Sequence, residues 1–360
     1  MRLNLVMIVK NEERRLRACL NAARRLVDEM IVVDTGSTDE TRKIAEELGA
    51  RVETFTWVND FSMARNYALD QSDADWNLML DADEILRPVT REVLEKLIRE
   101  RGNNWVGALL RYNAYRDKEE TRVSVETIPR LLPRGVRYEG RIHEQPKTTL
   151  VCMDTPLVAD HDGYLYSDKG ERNLPYLERE VEESPENGYF RFQLAFTLKN
   201  LKRERESLPH FAAFYEKGER KGPYWRQGVT EYLYALMEVG GKENMETGLR
   251  VLLAEEPLLK DYADFSFVCG IFFLNLVLFD IQRYISYLPR IEQSFLHCLE
   301  IGERPWDCGV EGTGSFLAYY NLGTWYEVSG QIDAARRCYK EALRLGYRQA
   351  KERLNLLKSW

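Results

Sequence analysis

Histidine is scarce in this chain, and its cysteines lack the spacing of metal or redox sites. The 360 residues include four histidines and six cysteines, and no two cysteines form a Cys-x-x-Cys pair. This pattern excludes a zinc-finger or thioredoxin-like site. We therefore interpret the cysteines as reduced, structural residues, and we expect the protein to be cytoplasmic.

Long apolar runs and an excess of positive charge are also missing. The most apolar segment, residues 265–279, is interrupted by Ser266, Gly270 and Asn275. It is too short and too polar for a transmembrane segment, and the first ten residues lack the apolar core of a signal peptide. The formal net charge is −7. A nucleic-acid partner is not expected, because such a surface needs a basic stripe.

The first 84 residues alternate between strand-like and helix-like patterns. Apolar, β-branched runs predict strands over residues 3–9, 30–34, 51–55 and 76–80, with amphipathic helices between them. This alternation is typical of a parallel sheet covered by helices. It then stops, and antiparallel strands are predicted over residues 105–112 and 121–132, followed by one over 149–159. We predict an α/β domain with a mixed, Rossmann-like sheet.

The turn after the second predicted strand contains a helix-start signal. Gly36 permits a tight turn, and Ser37 is followed three residues later by Glu40, which is a capping-box pattern. The pattern predicts a helix over residues 38–48.

Polar side chains stand at the carboxyl ends of the predicted strands. Asn11 and Glu12 follow the first strand, Asp34 ends the second, and Asp81 and Asp83 end the fourth. Ligands bind beyond the carboxyl ends of strands in such sheets. Alone, the Asp-x-Asp pair fits a solvated turn better than a site. The convergence of polar side chains from three strands at one edge reverses this preference. Two carboxylates on one face repel each other, and a shared cation would relieve that repulsion.

From about residue 170 the composition becomes helical. Residues 316–349 follow the helix-pair pattern of a tetratricopeptide repeat, with its key positions at Tyr319, Leu322, Gly323, Tyr326, Ala335, Tyr339 and Ala342. A weaker copy covers residues 188–220. One repeat is not stable alone, so residues 225–300 are expected to supply neighbouring helix pairs. We predict two domains, residues 1–170 and 171–360.

Several motifs in the first 165 residues resemble those of family 2 glycosyltransferases with the GT-A fold. They are Val9-Lys10-Asn11-Glu12, residues 33–39, residues 57–66 ending in Ala64-Arg65-Asn66, Asp81-Ala82-Asp83 and Gly140-Arg141-Ile142-His143-Glu144. With its C-terminal repeats, the chain is similar to the bacterial branch that includes the glycocin peptide glycosyltransferases, which glycosylate cysteine or serine of a bacteriocin precursor. The resemblance implies an inverting, metal-dependent transfer from a nucleotide-sugar donor, with a UDP-sugar expected.

The resemblance also implies roles for individual residues in binding the donor. The base and ribose would be held by Val9, Asn11, Glu12 and Asp34, with Gly36 and Ser37 beside them. Asp81 would face the ribose, and Asp83 would bind Mg²⁺ or Mn²⁺ at the diphosphate. Arg65 is predicted to bind phosphate. His161 is either a further metal ligand or a hydrogen-bonded residue at a strand end.

An inverting transfer needs one base that takes the proton of the acceptor. Glu144 is predicted to be this base. His143 is the alternative, because an imidazole titrates near neutrality. The purely structural interpretation of these two residues is a loop capped by hydrogen bonds.

The helical domain is expected to bind the acceptor or a second copy of the chain, as a homodimer. Concave repeat surfaces suit peptides, so a peptide or protein acceptor is favoured. An envelope polysaccharide or lipid-linked glycan is the alternative acceptor. The alternative class of function is a catalytically silent GT-A scaffold that carries an interaction array. The joint presence of Asp34, Asp81, Asp83 and Glu144 favours the enzyme.

Overall fold

The computed structural model describes residues 1–117, 120–163, 169–220, 222 and 224–357. The chain divides into two compact units, Met1–Lys169 and Gly170–Trp360. The N-terminal unit is a mixed sheet with interleaved helices, and the C-terminal unit is built of helices. The predicted fold class is therefore confirmed.

The elements of the N-terminal unit follow the predicted order. Its strands are β1 (Leu3–Val9), β2 (Glu29–Asp34), β3 (Arg51–Thr54), β4 (Trp76–Met79), β5 (Glu84–Leu86), β6 (Trp105–Asp117), β7 (Glu120–Pro133), β8 (Arg137–Glu139), β9 (Gln145–Lys147) and β10 (Val151–His161). Its helices are α1 (Leu16–Ala23), α2 (Thr41–Glu47), α3 (Phe61–Asp70) and α4 (Arg91–Arg101). Strands β8 and β9 form a small antiparallel ribbon of their own.

The main sheet changes from parallel to antiparallel after β4. Its strand order is β3-β2-β1-β4-β7-β6-β10-β5. Strand β1 is parallel to β2 and β4, and β2 is parallel to β3. Strand β7 is antiparallel to both β4 and β6, whereas β10 is parallel to β6. The predicted change of sheet type after residue 84 is thus confirmed, and the carboxyl end of β10 lies at the same edge as that of β4.

Strand β1 is buried on both faces, as its continuous apolar run predicts. Leu5 and Met7 pack into the cluster that contains the apolar face of α1. Val6, between them, packs into a second cluster with Ile31 and Met79. Because successive strand residues point to opposite faces, β1 contributes side chains to the apolar core on each side of the sheet. This packing fixes the position of its carboxyl end.

The predicted capping box at the start of α2 is wrong, and the helix is shorter than expected. Helix α2 begins at Thr41, and its N-cap residue Glu40 makes no side-chain cap. The Ser37 hydroxyl instead accepts a hydrogen bond from the backbone N–H of Asn11 at 2.9 Å. The Ser37 hydroxyl therefore binds the loop after β1, and it does not cap α2 as the local pattern predicted.

The C-terminal unit is a succession of helices. They are α5 (Lys169–Glu183), α6 (Gly188–Asn200), α7 (Glu204–Lys217), α8 (Trp225–Val239), α9 (Lys242–Leu259), α10 (Ala263–Phe279), α11 (Ile281–Tyr284), α12 (Leu288–Ile301), α13 (Phe316–Val328), α14 (Ile332–Arg344) and α15 (Gln349–Leu356). Short 3₁₀ turns cover Ile285–Tyr287 and Pro305–Asp307, and β11 (Gly309–Val310) is a two-residue strand. Within the part of the chain that the structure describes, no helix has the length and apolarity needed to cross a membrane.

The predicted repeat over residues 316–349 is the helix pair α13 and α14. Tyr339, Ala335 and Ala342 are fully buried. A Cβ atom added at Gly323 would lie 2.8 Å from the Tyr339 ring, so glycine is what allows the two helices to approach. The weaker predicted copy corresponds to α6 and α7. The tetratricopeptide-like character of this region is therefore confirmed.

A buried carboxyl group at the start of α10 ties down the segment before α13. The Asp264 carboxylate accepts hydrogen bonds from the Val310 N–H at 2.8 Å and from the Thr313 hydroxyl at 2.5 Å. Burial raises the pKa of Asp264 to about 7, from an ordinary value of 3.8. The folded chain therefore binds this proton more tightly than the unfolded chain does.

We expect the Asp264→Asn variant to lose part of the pH dependence of thermal stability. With a raised pKa in the folded state, stability falls as the pH rises from about 4 to about 7 and then levels off. Between pH 5 and pH 8 the wild type should lose about 5 °C more in melting temperature than the variant. Asp261→Asn, at an exposed position nearby, is the control. Equal slopes for wild type and Asp264→Asn would contradict the prediction.

Candidate active site

The loops after β1 and β2 form one hydrogen-bonded surface at the sheet edge. Asn11 has a left-handed backbone, with φ of 57°. Its side-chain oxygen accepts from the Thr38 N–H at 2.8 Å, and the Glu12 N–H donates to the Thr41 hydroxyl at 2.7 Å. Val9 is buried, and its carbonyl accepts from the backbone N–H of Thr35 at 2.9 Å. These contacts hold the two predicted donor-binding segments together.

Asp34 shapes the turn that follows β2. Its carboxylate is buried and accepts hydrogen bonds from the backbone N–H groups of Gly36, at 3.3 Å, and Ser37, at 3.1 Å. Arg42 lies 3.5 Å from the same carboxylate. Gly36 has φ of 108°, a conformation that favours glycine. The structure thus places Asp34, Gly36 and Ser37 together, beside Asn11.

Asp81 is held by two buried arginines. Arg65 Nη2 donates to Oδ1 at 2.7 Å, and Arg130 Nη2 donates to Oδ2 at 2.5 Å. Burial alone would raise the pKa of Asp81, but the charges of Arg130 and Arg65 outweigh it and keep that pKa well below its usual range. The first carboxylate of the Asp-x-Asp motif is therefore an anion with both oxygens engaged by the chain.

A second layer of charged side chains lies behind Asp81, and all of them but Glu126 are buried. Glu84 is fully buried, and its Oε1 accepts from Arg130 and from Arg111, each at 2.7 Å. Its Oε2 accepts from the Asp81 backbone N–H at 3.1 Å. Arg111 also donates to Glu126 at 2.6 Å. Sequence reasoning missed all four residues of this layer, although an arginine inside each apolar run of β6 and β7 was a visible signal.

Arg65 also reaches the loop that follows β8. Its Nε donates to Glu144 Oε1 at 2.5 Å, so one guanidinium joins Asp81 to Glu144. The neighbouring His143 has φ of 50°, and the chain turns sharply there. The predicted base is thus brought to the end of β4, although the two segments are far apart in the sequence.

The motif around Arg65 positions this loop. Asp60 caps α3 by accepting from the Met63 N–H at 2.9 Å. The Asn66 amide donates to the Tyr138 carbonyl at 2.9 Å and accepts from the Tyr138 N–H at 2.8 Å. Helix α3 is therefore tied to the segment that leads to Glu144, which explains why Arg65 is 4% exposed rather than an ordinary surface residue.

Asp83 and His161 meet at the same edge of the sheet. His161 Nε2 lies 3.2 Å from Asp83 Oδ2, and both side chains are buried. A carboxylate oxygen and an imidazole nitrogen are acceptable ligands for Mn²⁺, and the carboxylate suits Mg²⁺. Among the described residues, no group of three or more His, Cys, Asp or Glu side chains could hold a metal. The pair fits an ion that takes its remaining ligands from a bound diphosphate and water.

Comparison with known proteins shows that a family model matches part of the N-terminal unit. Residues 5–157 match the model of glycosyl transferase family 2. This range includes every residue of the charge network between Arg65 and Glu144, and it ends before His161.

Two relatives extend the similarity beyond the family match. A TPR repeat-containing protein of Synechococcus elongatus is 32% identical over 206 residues, which cover 52% of this chain and 49% of the relative. The SPbeta prophage-derived glycosyltransferase SunS of Bacillus subtilis is 25% identical over 215 residues, which cover 56% of this chain and 50% of the relative. The chain therefore spans about half the length of these curated relatives.

Solved structures also match parts of the chain. The crystal structure of TTC0263, a thermophilic TPR protein of Thermus thermophilus, is 18% identical with a TM-score of 0.39. The match covers 53% of this chain and 92% of that protein.

Proposed function

We propose that this chain, whose residues 5–157 match the model of glycosyl transferase family 2, moves a sugar from a nucleotide-sugar donor to an acceptor. The proposed reaction is metal-dependent and inverts the anomeric carbon. The observation that carries the proposal is the Arg65 bridge between Asp81 and Glu144. It supports the proposal because it joins Glu144, the candidate base, to Asp81, which lies two residues from Asp83.

The nucleoside is proposed to bind over the ends of β1 and β2. The surface there presents Asn11, Glu12, Asp34, Gly36 and Ser37 in one hydrogen-bonded unit, with Val9 beneath it as part of the core. Asp81 would face the ribose through the side of its carboxylate that the arginines leave accessible, since its side chain is 30% exposed. Arg65 would lie near the phosphates without binding them directly, because its Nε and Nη2 are engaged by Glu144 and Asp81.

Asp83 and His161 are the residues proposed to hold Mg²⁺ or Mn²⁺. When bound, such an ion would neutralise the negative charge that develops on the departing diphosphate. The 3.2 Å separation of their ligand atoms supports this assignment, because two neighbouring ligands that each lie about 2.1 Å from one ion are about 3 Å apart. Under this proposal His161 is a metal ligand, and a hydrogen-bonded residue at the end of a strand stays the alternative.

Glu144 is proposed to take the proton of the acceptor. Its Oε1 is held by Arg65, and within the described residues no group donates to its Oε2. A carboxylate fixed at one oxygen can receive a proton on the other while keeping its orientation. His143 precedes it in the same loop and stays the alternative base.

A peptide or protein is the proposed acceptor, with a UDP-sugar as the donor. The support for the peptide is the C-terminal unit, whose packed helix pairs resemble the repeat arrays that bind peptides. The chemistry at the sheet edge does not by itself distinguish a peptide from a glycan, since either offers a nucleophile to the same base.

Donor hydrolysis tests the enzymatic proposal. The full chain is incubated with UDP-glucose, UDP-N-acetylglucosamine or GDP-mannose, with and without Mg²⁺ or Mn²⁺, and free nucleoside diphosphate is measured. We expect release with at least one donor, and loss of release when EDTA is added. If none of these donors is turned over and none binds in a metal-dependent way, a silent scaffold is favoured.

Intact-mass analysis tests the acceptor. The donor that is hydrolysed fastest is incubated with the enzyme and candidate precursor peptides, and in parallel with envelope glycans. A peptide mass increased by one sugar residue is the expected result. Sugar that appears only on the glycan would overturn the peptide assignment while leaving the transferase proposal in place.

A further inference from the structure

Three buried donor groups beside Asp81 have no hydrogen-bond partner among the described residues. They are Arg65 Nη1, Arg130 Nε and the Tyr138 hydroxyl. The three side chains are only 4%, 5% and 5% exposed, respectively. Buried polar groups are almost always paired, because an unpaired one keeps its full cost of desolvation. An oxygen atom of a bound ligand is one partner that would satisfy such groups.

The three groups belong to one locus. Both arginines bind the carboxylate of Asp81, and the Arg65 guanidinium lies 5.6 Å from the centre of the Tyr138 ring. Tyr138 cannot move away easily, because the Asn66 amide holds its backbone N–H and carbonyl. The unpaired hydroxyl is therefore built into the site.

The charge of the network argues against a phosphate as the missing partner. Its three arginines contact four carboxylates, with Arg65, Arg111 and Arg130 facing Asp81, Glu84, Glu126 and Glu144. Within this group of described residues the carboxylates outnumber the arginines, so a further anion would add to an excess of negative charge. A neutral oxygen is the better partner, and a hydroxyl is better still. It accepts from arginine or tyrosine and can donate to a carboxylate.

We propose that Arg65, Arg130 and Tyr138 form a subsite for a hydroxyl group of the transferred sugar. This inference rests on the proposed function. The sugar must lie between the diphosphate end of the donor, near Asp83, and the base that activates the acceptor. The Arg65 bridge begins at Asp81, two residues from Asp83, and ends at Glu144. Tyr138 and Arg130 thereby become residues that determine sugar specificity.

Tyr138→Phe is the direct test, because it removes one oxygen and keeps the ring. Calorimetry measures the affinity of wild type and variant for UDP-glucose, UDP-N-acetylglucosamine and GDP-mannose, and for UDP and GDP, with Mg²⁺ present. We expect the best sugar nucleotide to bind about tenfold more weakly to the variant, and its nucleoside diphosphate to bind as before. The melting temperature of the unliganded variant should rise, because an unpaired buried hydroxyl is gone.

Tyr339→Phe is the matched control. Its hydroxyl is paired with Thr324 at 3.1 Å and with Glu327 at 2.7 Å, in the C-terminal unit. This control should lower the melting temperature and leave nucleotide binding unchanged. Arg130→Lys is the second test variant, and we expect the same selective loss of affinity for the sugar nucleotide.

Each outcome decides between the two proposals. If both Tyr138→Phe and Arg130→Lys bind the sugar nucleotide like wild type, the subsite is refuted and the transferase proposal stands. An equal loss for sugar nucleotide and nucleoside diphosphate would place Tyr138 at the nucleotide, which also overturns the subsite. If wild type binds no sugar nucleotide and no nucleoside diphosphate, the transferase proposal fails and the subsite fails with it.

Discussion

Asp83→Ala should lower donor turnover at least about a thousandfold and remove the response of donor binding to Mg²⁺ or Mn²⁺. The reason is electrostatic: stabilisation of a departing diphosphate by a divalent ion amounts to several kcal/mol, and about 1.4 kcal/mol corresponds to a factor of ten in rate. Asp83 lies against His161, whereas Asp81 is held by Arg65 and Arg130. Nucleotide release and calorimetry across a metal titration measure both effects.

Asp160→Ala is the control for this prediction. Asp160 precedes His161 in β10, but its side chain is 58% exposed and pairs with Arg87 at the surface. Removing this carboxylate changes the net charge near the sheet edge by the same amount without touching the proposed ligand. Wild-type metal dependence in Asp83→Ala would show that the ion, if used, is held elsewhere. A similar loss in Asp160→Ala would indicate a general charge effect.

Glu144→Gln should keep donor binding within about twofold and lose transfer by a factor of about a hundred to ten thousand, the usual contribution of a general base. The amide oxygen of glutamine can still accept from Arg65 Nε, so the bridge to Asp81 survives. What disappears is the ability to take a proton. Donor affinity by calorimetry and single-turnover transfer measure the two effects separately.

Glu139→Gln is the matched control for the base. Glu139 lies in the same segment, but it is exposed and pairs with Lys147 at 3.0 Å. It should behave as wild type. Should Glu144→Gln transfer normally while His143→Ala does not, the base is His143, and Glu144 serves only to orient Arg65.

The strands were predictable because their signals are local. The β-branched run of β1 and the apolar run of β4 are buried strands by composition alone, and the polar residues that follow each of them mark its carboxyl end. Parallel pairing of β1, β2 and β4 then brings those ends to one edge. The repeat of α13 and α14 was predictable for a similar reason, because Gly323 and Tyr339 meet at a fixed spacing within one helix pair.

One error occurred where a side chain has two candidate partners, and another where a short strand depends on a distant one. Ser37 carries a capping-box signature, yet its hydroxyl binds the Asn11 backbone from another loop. Strand β5 was missed because its three residues gain their structure from pairing with β10. A local pattern cannot show whether a group will bond to a residue nearby in the sequence or to a distant one. That choice depends on how the strands are arranged.

The sequence on its own establishes a mixed α/β unit with acidic strand ends and a helical-repeat unit after it. The partners inside the site came from the three-dimensional arrangement. Arg111 faces Glu126 only through the register of β6 and β7. His161 reaches Asp83 because β10 pairs with β5 in a register that sets His161 opposite Glu84, the residue after Asp83. Each pair joins residues that are distant in the sequence, so its energy depends on sheet order and register, which no local stretch of sequence encodes.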